Sequence, residues 1–370
     1  MNDKIPLAGL PLDELEEALS PAPAFRARQV FRWIAGGAES FDQMSNLSEE
    51  MRRELDGRFL VRQTKVVRRF ESGDGSLKLQ IELADGARIE TMALRDGAKR
   101  RTACLSTQSG CAMACVFCKT GALRLSRNLS SAEIVEQALH LKDAVSALSN
   151  IVFMGMGEPL LNLDALRRAI AVLTGGGGGG GEGGGARAAK AAFSTRRITV
   201  STCGVVKGIL SLAEEGPAVR LAVSLTTADE ALRRRLMPVA AEANPLPALK
   251  DALKRHQAQH TKRITLEAVI LGGVNTRTAD IEALKAFAEG LDVLINAIPW
   301  NPVDGARFEG KPLCAPSGAE IARFAAALER AGLKTVVRRS KGARIAGACG
   351  QLGAPTPVDA PDLGRPGAPG

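Results

Sequence analysis

Between Cys111 and Cys118 the chain reads Cys-Ala-Met-Ala-Cys-Val-Phe-Cys, three of its seven cysteines within eight residues. Three thiolates at C-x-x-x-C-x-x-C spacing fall one short of a tetrahedral zinc site, but they can hold three irons of a cubane and leave the fourth iron open. A substrate or cofactor can bind at that open iron. Gly110 and Gly121 flank the stretch and let the loop curl around a compact object, and Phe117 sets a ring beside the last thiol. A zinc knuckle with its fourth ligand elsewhere, or reduced core thiols, are the alternatives the spacing leaves open.

Other residues could do chemistry next to such a loop. Gly155-Met156-Gly157-Glu158-Pro159 combines glycines that admit a ligand to the backbone with a carboxylate that can accept from an amine, although a plain strand-to-helix turn would use the same residues. Ser201-Thr202-Cys203-Gly204, Ser224-Leu225-Thr226 and Trp300-Asn301-Pro302 end later strands with small polar groups, which serve either as helix caps or as one ribose and carboxylate site. Cys104 lies seven positions before the cluster and Cys349 far downstream; a lone cysteine is commonly an inert buried thiol, but as a thiolate it is a strong nucleophile. Cys203 and Cys314 read as structural. Glu90, on a strand of alternating pattern, faces opposite to Ile89.

The elements that must position these groups follow from periodicity. Residues 1–60 read as a small helical module, with Leu12, Leu15 and Leu19, then Phe25, Val30, Phe31 and Ile34, then Met51, Leu55 and Leu60 at helical spacing. Arg26, Arg28 and Arg32 alternate with the second apolar set, as on a helix with one buried and one basic face. Over 61–101 the period falls to two, in Leu77–Leu83 and Ile89–Met92 around the turn Asp85-Gly86, which predicts a β-hairpin linker. From 102 to 353 apolar strands near 103–106, 150–154, 197–201, 219–225, 264–270, 294–299 and 334–338 alternate with helices near 131–147, 163–173, 205–215, 246–259, 279–289 and 317–331. That rhythm predicts parallel strands with crossover helices, an α/β fold of partial (β/α) barrel type, with active groups at the strands' carboxyl ends. The glycine tract 175–185 can pack no core and is expected to be a mobile loop; the Pro- and Gly-rich tail 354–370 is expected to be disordered.

Composition sets the class. With 45% hydrophobic and 24% charged residues the 370-residue chain reads as a soluble globular protein, and no apolar run of membrane-spanning length appears. Clustered cysteines without a secretory signal, and a cluster that oxygen would destroy, point to the cytoplasm. The net charge of +9 favours a polyanionic partner. The excess lies beyond residue 60, since 1–60 hold seven Lys/Arg against eleven Asp/Glu.

The cysteine loop resembles the signature of radical S-adenosylmethionine (SAM) enzymes, and Gly157-Glu158-Pro159 resembles their motif for the cofactor's amino group. The combination of Arg101-Thr102-Ala103-Cys104, Ser106 to Cys111, Met154 to Asn162, Ile298-Pro299-Trp300-Asn301-Pro302 and Ala348-Cys349-Gly350-Gln351-Leu352 resembles the RlmN family, radical SAM adenine-C2 methyltransferases of 23S rRNA and tRNA. The likeness spans nearly the whole chain, including Phe25 to Gln29. It implies a [4Fe-4S] cluster on Cys111, Cys115 and Cys118, and SAM contacts from Gly157, Glu158, Ser201, Ser224, Leu225, Thr226 and Asn301. It also implies a two-cofactor mechanism, in which one SAM methylates Cys349 and a second, cleaved by an electron donor's electron at the cluster, yields a radical that activates the S-methyl carbon for addition to C2. Cys104 would then release the RNA by forming a disulfide with Cys349, with Glu90 as proton acceptor. Adenine C2 is too weak a nucleophile for ordinary transfer from SAM, and the base must leave its stack to be reached. Thr226 departs from the family pattern, since many relatives carry histidine there. C8 methylation, as in the related Cfr group, and a non-catalytic zinc-stabilised RNA-binding protein are the other readings.

Overall fold

The computed structural model describes residues 4–97, 100–145, 147–175 and 193–353. The glycine tract beyond Gly175 and the tail from Ala354 lie outside the described residues.

Ten strands form one sheet whose spatial order follows the chain: β1 (Lys65–Glu71), β2 (Leu77–Glu82), β3 (Arg88–Asp96), β4 (Arg100–Cys104), β5 (Asn150–Phe153), β6 (Ile198–Thr202), β7 (Arg220–Ser224), β8 (Ile264–Ile270), β9 (Val293–Pro299) and β10 (Thr335–Val337). Strands β1 to β4 pair antiparallel, whereas every pairing from β4 to β10 is parallel. The sheet does not close, because β1 and β10 are its two edges. The partial barrel expected from the alternating pattern is therefore present. Its antiparallel extension holds one strand more than the expected hairpin, because Lys65–Glu71 also pairs with β2. The apolar pattern of β1 is weak, since Phe70 is its buried hydrophobic residue and charged side chains fill most of the strand.

Helices α1 (Leu12–Ala18), α2 (Ala24–Gly36) and α3 (Glu49–Arg58) form the amino-terminal module, with Leu15, Val30, Ile34 and Leu55 buried. Arg28 and Arg32 are exposed on it and Arg26 is half-buried. Crossover helices α4 (Ser131–Ala144), α5 (Leu163–Leu173), α6 (Val206–Glu215), α7 (Leu246–His260), α8 (Thr278–Ala288) and α9 (Gly318–Arg330) connect the parallel strands. In β8, Leu266, Ala268 and Ile270 are sealed from solvent. Glu267 and Val269 alternate with them and border the barrel cavity, as the pleat of a strand requires. Two short helices, Glu230–Leu236 and Pro238–Ala243, lie between β7 and α7. Their length hid them in the sequence, because one or two turns carry too little periodicity to register.

The module and the barrel are joined at a buried carboxylate. Glu136 on α4 accepts from the Gln63 amide at 3.1 Å, the Thr64 amide at 2.8 Å and the Thr64 hydroxyl at 2.6 Å, which fixes the chain between α3 and β1. Lys142 of α4 donates to Ala35 O at 2.7 Å, and Arg62 to Gly37 O at 2.7 Å and Asp143 at 2.6 Å. Replacing Glu136 with Gln puts an amide N–H2 among these donors. The expected outcome is a loss of about 1–3 kcal/mol, read as a lower urea midpoint with unchanged slope.

Candidate active site

The chain leaves β4 at Cys104, crosses the carboxyl end of the sheet and turns into the cysteine loop. The loop is wound tightly: Cys118 N donates to Cys115 O at 3.1 Å and Cys111 N to Leu123 O at 3.3 Å. A Cβ at Gly121 would stand 2.9 Å from the Cys115 backbone N and O, so glycine is required there for the turn to close. From outside, Val116 N donates to Leu236 O at 3.0 Å, and the buried Arg233 guanidinium donates to Cys203 O and Asn244 O, each at 3.0 Å. The three thiols open into one cavity at the mouth of the barrel.

Those thiols suit a cluster better than a single ion. Burial pushes the Cys111 thiol up to about 11, and the nearby Cys118 adds to it. Burial also raises Cys115, first, and Cys118, with the neighbouring thiols reinforcing the shift in Cys115. Left alone the three would stay protonated; a polynuclear iron centre supplies the positive charge that ionises them. A mononuclear zinc site holds its sulfurs about 2.3 Å from one point. Among the described residues no three Cys, His, Asp or Glu side chains converge that way. Three cysteines at C-x-x-x-C-x-x-C spacing that line one cavity can each bind a different iron of a cubane.

Of the residues expected to hold SAM, Gly157, Glu158, Ser201, Ser224 and Asn301 border this cavity. Gly157 has φ of +98°, and a Cβ on it would meet Gln108 Cβ at 2.5 Å. Glu158 accepts from Cys203 N at 2.7 Å and Leu160 N at 3.0 Å, so the local backbone orients it. Burial raises its carboxyl, against the lowering by those amides. The Ser201 and Ser224 hydroxyls are 3.4 Å apart. Leu225 and Thr226 do not border the cavity. Leu225 is fully buried, and Thr226, at φ of +62°, has a buried hydroxyl without a hydrogen-bond partner among the described residues.

Cys349 borders the same cavity, and it borders a smaller adjoining one together with Cys104, Asn301 and Arg338. The Cys104 thiol is pushed up to about 12, by burial first and by the proximity of Cys349 second. The segment carrying Cys349 is stapled over the barrel. Asn301 donates to Cys349 O at 3.1 Å, Lys119 N to Gly350 O at 2.7 Å, Gln351 to Pro302 O at 2.9 Å and Thr120 to Leu352 O at 2.7 Å. Glu90 does not border either cavity. Its Oε1 pairs with Lys78 at 3.0 Å and its Oε2 accepts from Gly353 N at 2.8 Å.

Three residues in or behind the cavity escaped the sequence reading. Glu267 and Arg338 border it, and Asn296 donates to Glu267 at 2.7 Å from the neighbouring strand. Burial holds the Glu267 carboxyl up at about 7, against Arg338 and Asn296, which lower it. The available signal was a charge inside the otherwise apolar strand Ile-Thr-Leu-Glu-Ala-Val-Ile and an amide inside Val-Leu-Ile-Asn-Ala-Ile.

Residues 105–286 match the model of the Radical SAM superfamily, and residues 6–61 match that of the ribosomal RNA large subunit methyltransferase N-terminal domain. A probable dual-specificity RNA methyltransferase RlmN of Treponema denticola is 47% identical over 350 residues, covering 95% of this chain and 96% of that protein. The chain belongs to the RlmN family. The dual-specificity RNA methyltransferase RlmN of Geobacter sulfurreducens is 39% identical over 95% of this chain and 93% of its own length. The crystal structure of a radical SAM methyltransferase from Sphaerobacter thermophilus superposes with a TM-score of 0.85 at 37% identity, over 95% of this chain and all of that one. Radical SAM family membership brings a [4Fe-4S] cluster and SAM as cofactors, which agrees with the donor set above. Among the described residues no helix is long and apolar enough to cross a membrane. Substituting Ala for Cys111, Cys115 or Cys118 is expected to remove the iron, sulfide and visible absorption of anaerobically reconstituted protein, measured by metal analysis and spectroscopy.

Proposed function

We propose that the chain methylates C2 of adenosine in 23S rRNA and in tRNA, passing the methyl group through Cys349. The observation that carries this reading is the convergence on one cavity of three cluster thiols and a fourth, separately held thiol. When bound, the cluster and SAM supply the methyl group and the one-electron chemistry that removes hydrogen from an unactivated C–H bond. Cys349 is the sulfur that takes up the methyl, and the bonds from Asn301, Lys119 and Gln351 hold its backbone so that the sulfur faces the cavity. Gly157, Glu158, Ser201, Ser224 and Asn301 are assigned to the cofactor. Leu225 and Thr226 would act from behind that wall, through the backbone.

Cys104 shares the small cavity with Cys349, which supports a role in releasing RNA: its sulfur would bond to that of Cys349 as the latter lets go of the product. A proton-acceptor role for Glu90 requires its Oε2 to give up the Gly353 amide. The exposed Arg28 and Arg32 of the amino-terminal module are assigned to RNA phosphates, and an external donor in the cytoplasm supplies the electrons. The match of that module to the ribosomal RNA methyltransferase N-terminal domain favours C2 over C8.

The test is mass spectrometry of nucleosides from RNA incubated anaerobically with reconstituted protein, SAM and a reductant. Appearance of 2-methyladenosine is expected, and 8-methyladenosine would overturn the reading. The Cys349→Ala variant is expected to load its cluster normally and form no methylated nucleoside.

A further inference from the structure

Glu267 is 4% exposed and borders the cavity from the middle of β8. Its Oε2 accepts from Asn296, while Oε1 has no hydrogen bond among the described residues. That oxygen keeps its acceptor capacity for a ligand in the cavity. The flanking strands place Ser224 and Asn296 in register with Glu267, so a hydroxyl, a carboxyl and an amide stand side by side across three strands.

We infer that Glu267 reads the target base: Oε1 accepts a hydrogen from the exocyclic N6 amine of an adenine turned into the cavity, and Asn296 holds the carboxyl in place. The inference deepens the function proposed above and rests on it. One observation favours the RNA adenine over the cofactor's. Arg338 lines the main cavity together with Glu267 and lines the smaller adjoining one together with Cys349 and Cys104. The base that receives the methyl must lie against Cys349. On the adenine ring the amine-bearing carbon and C2 both flank N1, so a base fixed by its amine has C2 aimed in a set direction. Guanine would oppose its O6 to the carboxylate, two acceptors without a proton between them, and its C2 already carries an amine.

The test uses anaerobic holoenzyme and RNA hairpins carrying either adenosine or purine riboside, which lacks the amine but keeps C2–H, at the methylated position. The wild type is expected to favour adenosine in both equilibrium binding and kcat/KM by roughly 10- to 100-fold, the worth of one charge-assisted hydrogen bond. Glu267→Gln, which keeps an acceptor oxygen but loses the charge, should lower that ratio to roughly 3- to 10-fold. Glu267→Leu should bring it near one while the SAM affinity stays unchanged. Asn296→Ala, which removes no cavity-lining group, should lower the ratio too, and serves if the Leu variant fails to fold. An undiminished ratio in the Leu and Asn296 variants would overturn the inference. So would a loss of SAM affinity at an unchanged ratio, or accumulation of a covalent protein–RNA species, which would make Glu267 a proton acceptor. Failure of the wild type to form 2-methyladenosine would count against the function, whereas the hairpin binding ratio speaks to Glu267 alone.

Discussion

A buried ion pair holds the reactive end of this molecule in place. Lys78 on β2 is sealed from solvent and lies 3.0 Å from Glu90 on β3. Desolvation lowers the lysine, against the pull of the glutamate. Breaking such a pair by removing one partner costs about 3–5 kcal/mol, because the other charge is left buried and uncompensated. Both partners also reach the carboxyl-terminal segment, Lys78 to Ala346 O at 3.5 Å and Glu90 to Gly353 N at 2.8 Å. Nearby, Asp74 accepts from Gly342 N at 2.9 Å. The antiparallel strands are thus more than a linker. They clamp both ends of the stretch that carries Cys349.

With that segment clamped, the barrel mouth becomes a place where acids and thiols crowd together. Cys111, Cys115, Cys118, Glu158, Glu267 and Cys349 meet there with Arg338 as the cation on the wall. Burial raises the thiols and carboxyls whose shifts are resolved, so each of them carries charge less readily than it would in water. Iron charge, together with the sulfonium and ammonium groups of SAM, complements that set. The cavity is built to be finished by its cofactors, and Arg338 is left to stand by the thiol pair.

The parallel half of the sheet follows a general rule, since strand ends present loops toward a common rim and the helices take up the outer faces. Each strand end contributes something different here. The loop after β4 brings the cluster thiols, the loop after β5 brings Glu158, the carboxyl ends of β6 and β7 themselves bring the two serines, and the loop after β9 brings Asn301. The amino-terminal module packs along α4, tied by Glu136, Lys142 and Arg62.

The alternation of strands and helices, the cysteine loop and the strand-end polar motifs could all be read from the chain, because each is a local pattern with a local physical cause. The spacing of Cys111, Cys115 and Cys118 set what the loop could hold before any contact was known. That Cys349 and Cys104 border one small cavity was not legible from residue types, since 245 positions separate them (349 − 104) and spacing has no meaning at that range; family resemblance had to stand in for it. The partners of Glu90 were not legible either, because alternation placed it opposite Ile89 but cannot say that a lysine and a distant glycine amide will enclose it. Glu267 and Asn296 were passed over as interruptions of apolar strands, and register alone puts them side by side. The chain by itself determined the cofactor class and the order of elements. Tertiary packing decided which acids are buried, which oxygen is left without a donor, and which two cysteines border one small cavity, because burial and proximity are properties of the assembled sheet.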